Sequence, residues 1–533
     1  MTRSDDSAPP PTQSHPSALE PATLGLTLAV AVVGAVIGVQ IVTALGVTPN
    51  TSIIGVLIAI MLSRVPLAAL GRFRSIHRQN LVQTSISAAT FGAANSLLVP
   101  IAVPMLLGRA DLVVPMLIGA ACGMFIDLAM LYWFFDTRLF PGRAPWPLGV
   151  ATAEAIFAGD QGGRRGRLLS AGAVLGVLGS SGLFGGFKTL PVAAFGLAFL
   201  GNVWALTMFG LGLLVRGYAG RVSGADLDAL LVPHGIMVGA GLVALGQAVA
   251  SVLRGDRSEG ADPPLEPLVR ARSGLVRGLG LYVLAGTLLS LLGGLHTAMP
   301  GGQMVTWVLF AAVACIAAEL IVGLSAMHAG WFPAFATTLV FLLLGLLLGF
   351  PAAALGLLAG FVASGGPAFA DAGYDFKTGW CLRGSGRDPA FEREGRRQQL
   401  IAAVMGFSVA LLVVGVAYSI YFRRGLFPPV VRVYAATIEA GLASSSARQL
   451  FTWAIAGAAL QLLGGPKRQL GILFATGLLV FNPAAGWAVL MGVLVRVWLA
   501  RRRELAEGAS STIFAAGLVA GDAVWAFVGS LVG

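Results

Sequence analysis

Long apolar runs, separated by short polar stretches, follow one another along the 533-residue chain from residue 24 to its end. Most of the runs approach the roughly 20 residues that an α-helix needs to cross the hydrocarbon layer. Lipid offers the backbone no hydrogen-bond partner, so these runs must be helical. We therefore predict an all-α polytopic integral membrane protein with about 14 transmembrane segments, within a range of roughly 12 to 16, some of the runs being hairpins. The segments are predicted near 24–46, 52–70, 80–107, 111–135, 168–187, 191–216, 232–253, 274–296, 304–326, 333–350, 352–369, 399–422, 449–464, 470–500 and 510–532.

Two of these runs contain residues that interrupt the apolar pattern. The run 80–107 carries Asn80, Gln83, Thr84, Ser85, Ser87, Asn95, Pro100 and Pro104. Irregular backbone is tolerated at membrane depth only where it lines a cavity or is buried in protein. We therefore expect this run to be a broken or re-entrant helix. The letters NPAAG at 482–486 predict a second break, inside the run 470–500.

Several short sequences occur twice in the same order. ATAEA at 151–155 is answered by ATIEA at 436–440, and AGLVA occurs at both 240–244 and 516–520. Such internal repeats are typical of transporters, in which the binding site lies between the halves and is formed by broken helices. The pattern predicts two tandem homologous membrane halves.

The division into halves follows from the charged, proline-containing stretch 254–268, which is the candidate linker near the middle of the chain. We predict a disordered cytoplasmic tail over 1–22, a first membrane half over 23–254, a cytoplasmic linker over 255–272 and a second half over 273–533. The first residues lack the basic start and short apolar core of a signal peptide.

Composition supports a membrane protein, because 56% of the residues are hydrophobic, only 11% are charged and the mean hydropathy is +0.83. The net charge of +11 comes from basic residues in short segments between apolar runs. This arrangement follows the positive-inside rule and does not indicate nucleic-acid binding. It places 72–78, 163–167, 254–272, 377–397 and 496–503 in the cytoplasm. The three cysteines have no paired spacing, so neither a metal cluster nor a disulfide framework is predicted.

The chain leaves no room for a soluble catalytic or ATP-binding domain, and it contains no GxxxxGK[ST] motif. Both observations argue against an ATP-driven pump. A membrane-embedded enzyme acting on a lipid-linked substrate would need a nucleophile or metal constellation, and no HExxH, DxD or Cys/His cluster occurs. That class and a passive channel remain the alternatives to a transporter.

Ionisable residues within apolar sequence cost roughly 2.5–3.5 kcal/mol each on insertion scales, and are therefore candidates for function. They are Asp127, Glu154, Glu319, Glu439 and Asp522, with His234, His296 and His328 near segment ends. The competing interpretation for each carboxylate is helix capping or helix pairing. Glu154 and Glu439 lie in the repeated segments, so we expect one of them to carry the coupled proton, with Glu319 next.

Two further segments predict substrate contacts. Gln83, Thr84 and Ser87 form a polar stripe on one helical face, which a cavity would use; interhelical hydrogen bonding is the alternative. We interpret DFKTGW at 375–380 as a loop that offers Asp375 and Lys377 to the substrate, or else as a cytoplasmic cap. Trp146 precedes a helix started by Pro147, whose positive N-terminus can face a carboxylate. Trp146 can equally belong to the interfacial aromatic belt.

NLVQTSISA (80–88), WPLGVATAE (146–154) and DFKTGW with the later RRQQ (375–380 and 396–399) resemble, in order, motifs of the oligopeptide transporter family. That family includes the yellow-stripe-like carriers of metal chelates. The resemblance extends over about residues 50 to 500 and implies proton-coupled uptake of small peptides or peptide-like chelates. The matched positions are Asn80, Gln83, Thr84, Ser87, Trp146, Pro147, Gly149, Glu154, Asp375, Lys377, Thr378 and Gly379. An NPG-type N-terminal motif is absent and RGSGRDPAFEREGRRQQ replaces the KIPPR-like element, as in a prokaryote-type branch.

The sequence thus predicts a secondary active, proton-coupled importer in the plasma (inner) membrane, with a cytoplasmic N-terminus and no enzymatic activity or cofactor. Its partners are a small-molecule or peptide substrate, protons and the lipid bilayer. A homodimer is compatible with the sequence. The substrate-binding residues are predicted to be Asn80, Gln83, Thr84, Ser87, Trp146, Asp375 and Lys377, and the proton-coupling residues Glu154, Glu439 and Glu319. Whether the cargo is a peptide, a siderophore or another zwitterion is left open.

Overall fold

The protein folds into a bundle of α-helices. The computed structural model describes residues 14–45, 71–182, 191–254, 265–330, 333–441, 444–480, 482–501 and 508–532. Within these residues nine helical stretches are long and apolar enough to cross a membrane, and four shorter apolar helices accompany them. The predicted all-α polytopic class is confirmed. The predicted segment 52–70 and most of the predicted linker lie outside the described residues.

The helices are named in chain order. The first part of the chain forms α1 (Pro21–Leu45), α2 (Ile76–Phe91), α3 (Val99–Leu106), α4 (Val113–Phe134), α5 (Pro147–Gln161), α6 (Gly163–Ser180), α7 (Val192–Leu200), α8 (Val203–Ser223) and α9 (Val232–Arg254). The second part forms α10 (Leu265–Leu292), α11 (Leu295–Ala298), α12 (Gly301–Ala329), α13 (Ala334–Leu347), α14 (Ala352–Leu382), α15 (Pro389–Arg423), α16 (Pro429–Ala440), α17 (Ser444–Arg468), α18 (Leu470–Leu479), α19 (Pro483–Arg501) and α20 (Gly508–Val532).

The centre of the bundle is formed by α14 and by the stretch from α2 to α3. In the apolar part of α14, 89% of the residues are buried inside the protein, and in that of Ile76–Leu106 the share is 94%. The corresponding share for α19 is 28%. α14 packs against α2, α3, α4, α5, α12 and α15. Polar side chains on α2 and α14 therefore face protein rather than lipid.

The run 80–107 is not re-entrant. α2 and α3 are joined by the π-helical segment Gly92–Leu98, and the whole stretch Ile76–Leu106 is one continuous helical rod. The side chains of Gln83, Thr84, Ser85 and Ser87 form hydrogen bonds with neighbouring helices, so their polarity does not require a break in the backbone. A π segment within an α-helix is a local distortion often found at functional sites.

The second predicted break is present. α18 ends at Leu479 and α19 begins at Pro483, where the Asn482 side chain accepts a hydrogen bond from the Ala485 N–H at 3.0 Å. Asn202 caps α8 in the same way, accepting from the N–H groups of Trp204 and Ala205. Both asparagines satisfy N–H groups that a helix start leaves unbonded.

The repeated sequences lie on two series of five helices, α5 to α9 and α16 to α20, and members of one series pack against members of the other. α6 packs along α20, α9 along α17, and α8 against both α18 and α19. The contacts are close because glycines face backbone: a Cβ at Gly492 would lie 2.8 Å from the Phe195 carbonyl oxygen, and one at Gly212 would overlap the Phe474 carbonyl. Small residues at such crossings allow helices in membranes to approach closely.

The described part of the N-terminal tail, residues 14–20, is packed against the bundle rather than loose. The Ala18 N–H donates to Gln398 Oε1 at 2.8 Å, and the His15 ring lies 5.1 Å from that of His77 and 5.4 Å from that of Phe391. His15 and Ala18 are 8% and 0% exposed. The expectation of a disordered tail is therefore corrected for these residues, because aromatic packing and a buried hydrogen bond fix them.

Candidate functional site

A buried cluster of polar side chains lies where α2, α14 and α15 meet. We call it the polar core, and it comprises Asn80, Gln83, Thr84, Ser87, Asp371, Asp375 and Gln399. The α2 members recur at helical spacing and so face the same neighbours. The structure thus brings together five of the seven predicted substrate-binding residues, and adds Asp371 and Gln399 to them.

Hydrogen bonds connect α2 to the two aspartates of α14. Ser87 Oγ donates to Asp371 Oδ1 at 2.6 Å, and Gln83 Nε2 donates to Asp375 Oδ1 at 2.5 Å. Asn80 Nδ2 donates to Gln83 Oε1 at 3.0 Å and so orients the amide that reaches Asp375.

The second oxygens of both aspartates, Oδ2 of Asp371 and Oδ2 of Asp375, are buried and have no hydrogen-bond partner in the described part of the chain. The hydroxyl of Tyr374, beside Asp371, is in the same situation. Residues four apart on a helix are neighbours, so two acidic side chains share one face of α14. Like charges this close, out of water, call for a cation, a proton or a ligand ammonium between them.

One side of the polar core is closed by a satisfied ion pair. Arg383 bonds to both oxygens of Glu392, at 2.7 and 3.0 Å, and its Nη1 donates to Gln399 Oε1 at 2.8 Å. Gln399 Nε2 in turn donates to the Asp375 carbonyl at 2.6 Å and to Thr84 Oγ1 at 3.1 Å. These hydrogen bonds hold α15 against α14. Because the charges of Arg383 and Glu392 are paired with each other, we assign this ion pair a structural role.

Lys377 and Trp146 lie on another side of α14. DFKTGW is not a loop: it forms the last two turns of α14, which places Lys377 about half a turn away from Asp375. Lys377 Nζ donates to the Gly142 carbonyl at 2.7 Å and lies 4.3 Å from the centre of the Trp380 ring. Trp146 is fully buried and packs edge-on against Tyr374, so it is not an interfacial belt residue. Lys377 and Trp146 therefore lie outside the polar core, and their predicted contact with the substrate stays a prediction.

The three predicted proton-coupling glutamates lie in different surroundings. Glu154 is partly buried on α5, with its carboxylate 3.9 Å from the Arg165 guanidinium. Glu439 is exposed, because α16 buries a different face, formed by Val431, Tyr434 and Ile438. The expected burial of Glu439 is therefore wrong. Glu319 is fully buried on α12.

Glu319 lies next to a second acid, Asp127 on α4, which is a candidate from the sequence but is not among the predicted proton-coupling residues. Both are 0% exposed. The Tyr282 hydroxyl, from α10, donates to Asp127 Oδ1. Asp371 was missed altogether, although the spacing of the two acids in DAGYD would have shown a carboxylate pair had the segment been assigned to a helix.

The fold and its enclosed polar groups define a polytopic all-α membrane protein with acidic sites at its centre. The family model described as OPT oligopeptide transporter protein matches residues 21–258 and 275–532, and the chain belongs to this family. No curated protein gives a significant match. Membership makes the protein a membrane transporter of oligopeptides or similar molecules.

Proposed function

We propose that the protein is a secondary active, proton-coupled importer of small peptides or peptide-like metal chelates across the plasma (inner) membrane. The observation that carries this proposal is the pair of unpartnered carboxylate oxygens of Asp371 and Asp375 inside the polar core. A buried acidic site next to amide groups suits a cargo that carries an ammonium group and peptide bonds.

In this proposal the cargo ammonium lies between Asp371 and Asp375, and Gln83 and Asn80 bond to its amide groups. Ser87 and Thr84 complete the α2 side of the site. Lys377 and Trp146 support the site indirectly, by holding α14 against the loop before α5. Lys377 of α14 bonds to the Gly142 carbonyl in that loop, and Trp146 packs against Tyr374 of α14. The carboxylate of the cargo would then meet a helix N-terminus rather than Lys377, whose ammonium is engaged.

The driving force is a proton moving down the membrane potential, which supplies about 2.3 kcal/mol per 100 mV. One coupled proton therefore supports between one and two decades of accumulation per 100 mV. Glu154 and Glu319 remain the sequence-derived candidates for binding this proton.

The two interlocked series are the proposed homologous segments: α5 to α9 in the first half and α16 to α20 in the second half. Movement of this interlocked unit relative to α14 would expose the polar core to either side in turn, as in other transporters with internal repeats.

The test begins with a thermal-shift screen of di- to pentapeptides and ferric chelates on the purified protein. The best ligand is then titrated against Asp371→Asn and Asp375→Asn. Hydrogen bonds to charged groups contribute about 1.5–3 kcal/mol, so affinity should fall roughly 10- to 100-fold in each variant.

The matched control is Asp522→Asn. Asp522 also accepts from a serine, Ser180 Oγ at 2.5 Å, but at the contact between α20 and α6. Its variant should bind the ligand like the wild type. Equal binding by all four proteins would remove the polar core as the cargo site.

A further inference from the structure

Asp127, Glu319 and Tyr282 come from three different helices, α4, α12 and α10, that enclose α14. All three side chains are 0% exposed. Their surroundings are tight on the side of α14, where a Cβ at Gly365 would lie 2.8 Å from Asp127 Oδ2. The group is therefore enclosed by protein, on helices that are long and apolar enough to cross a membrane.

Three of the four carboxylate oxygens in this group lack a hydrogen-bond donor among the described residues. The Tyr282 hydroxyl donates its single proton to Asp127 Oδ1. Asp127 Oδ2 and both carboxylate oxygens of Glu319 find no donor among the described residues, although Glu319 lies within hydrogen-bonding reach of Asp127. Two ionised carboxylates have no hydrogen to share, so a hydrogen bond between them requires that one be protonated.

The charges around the pair do not favour double ionisation. Within the described residues, the other titratable groups that face it are Tyr282 and Cys315, and each carries a hydrogen that it can donate. Two adjacent carboxylates in a buried site cannot both ionise without a compensating cation, as in sites where two acids share one proton.

We propose that Asp127 and Glu319 form a proton-binding site in which one proton is shared between the two carboxyl groups. The use of this proton as the coupling ion rests on the proposed function. The site lies close to the polar core, because Gly365, which contacts Asp127, and Asp371 are both on α14, roughly 9 Å apart along the helix at 1.5 Å per residue.

Release of the proton to water, which becomes hydronium, breaks one O–H bond and leaves the pair with a second negative charge. Tyr282 keeps its own proton and donates to only one of the two groups. The doubly ionised pair would then repel. Asp127 is in close contact with α14 at Gly365, and Phe369 of α14 packs against Gly323 of α12, so the two carboxylates cannot separate without displacing α14. The state of the pair is thereby communicated to the helix that carries the acids of the polar core.

The proton itself is the probe in the test. Infrared spectra of the reconstituted full-length protein are recorded across the neutral pH range, in sodium-free buffer, in H₂O and D₂O. The wild type should show the carbonyl band of an un-ionised carboxyl group that shifts in D₂O. This component should be lost in the double variant Asp127→Asn/Glu319→Gln and kept in Glu394→Gln, which alters an exposed carboxylate.

Tyr282→Phe serves as a second variant that removes only a hydroxyl. It should shift the band without abolishing it, because Asp127 loses a donor. The proposal is overturned if the wild type lacks the component, if the double variant retains it, if Tyr282→Phe leaves it unmoved, or if sodium ions abolish it. These spectra need no cargo and no gradient, so they decide the proton site even if the proposed transport function fails.

Discussion

Gly379 shows how little space the polar core leaves. It lies on α14 where a Cβ would overlap Gln399 Oε1 and Arg383 Nη1, the two groups that connect α14 to α15. We expect Gly379→Ala to destabilise the protein by about 1–3 kcal/mol, the usual effect of overpacking. The measurement is the thermal unfolding midpoint in detergent.

The control for this substitution is Gly415→Ala on α15, another helical glycine, whose Cβ would meet nothing within 4 Å. It should leave the midpoint unchanged or raise it, since alanine favours helix over glycine. Equal midpoints for the two variants would contradict the packing described for Gly379.

His15 makes the docking of the N-terminal segment depend on pH. Burial, aided by the charges of Arg383 and His77, lowers the pKa of His15 from 6.5 to about 4. The undocked segment therefore binds a proton that the docked segment excludes. Docking is fully stable above pH 6.5 and weakens progressively as pH falls towards 4, by about 2 kcal/mol at pH 5.

The prediction is checked by limited proteolysis of the N-terminal segment at pH 7.5 and pH 5. Cleavage should be faster at pH 5 in the wild type, and pH should have less influence in His15→Phe, which keeps an aromatic ring beside Phe391. An identical pH response in the variant would show that another group controls docking.

Substitution of the buried Glu319 and of the exposed Glu439 should have different effects on transport of the cargo. Glu319→Gln fixes the neutral form, so we expect it to keep counterflow exchange of the cargo and to lose gradient-driven accumulation. Glu439→Gln alters an exposed side chain and should accumulate the cargo as the wild type does. Accumulation by Glu319→Gln, or its loss in Glu439→Gln, would reverse this assignment.

At the level of elements, the contact between α9 and α17 is formed at glycines that face the partner helix, namely Gly235, Gly239 and Gly457. A Cβ at Gly239 would overlap the Ala454 carbonyl, and a backbone atom in a packed helix cannot move aside cheaply. Gly239→Ala should therefore separate α9 from α17 and lower the yield of monodisperse protein.

Gly246→Ala provides the control on the same helix, because its Cβ would meet nothing within 4 Å. Size-exclusion profiles and thermal midpoints of the two variants should differ clearly. If both behave like the wild type, the close crossing of α9 and α17 does not contribute to stability.

The sequence predicted which segments are helical better than it predicted where a helix is interrupted. Apolar length alone identified most of the helices, and the asparagine before Pro483 marked a real break. The polar residues of α2 predict a broken or re-entrant helix, but Gln83 and Thr84 form hydrogen bonds with α14 and α15, which lie hundreds of residues away in the sequence. A single sequence does not show such partners. Polar residues that line a buried site therefore look the same in the sequence as polar residues that interrupt a helix.

The same limit applies to individual residues. Gln83 and Ser87 were found because helical spacing aligns them, whereas Asp371 was hidden by assigning the segment after it to a loop. Glu439 was overvalued because its neighbours are apolar, although α16 turns that glutamate outwards. Pairing across helices, as between Asp127 and Glu319, needs tertiary structure.

At the scale of the whole molecule, the central helix α14 carries the proposed cargo site and adjoins the proposed proton site. Interlocked helices from both parts of the chain surround it. With the proposed function, the burial of both acidic pairs predicts that a proton gradient drives uptake.

The most direct measurement of this claim uses proteoliposomes that contain the purified protein and no ATP, with the peptide or chelate identified by thermal shift. An inward proton gradient should drive accumulation above the external concentration, with simultaneous proton entry reported by an internal pH dye. A protonophore should abolish the accumulation. Accumulation that persists with the protonophore, or uptake that only equilibrates the cargo as a passive channel would, contradicts the account.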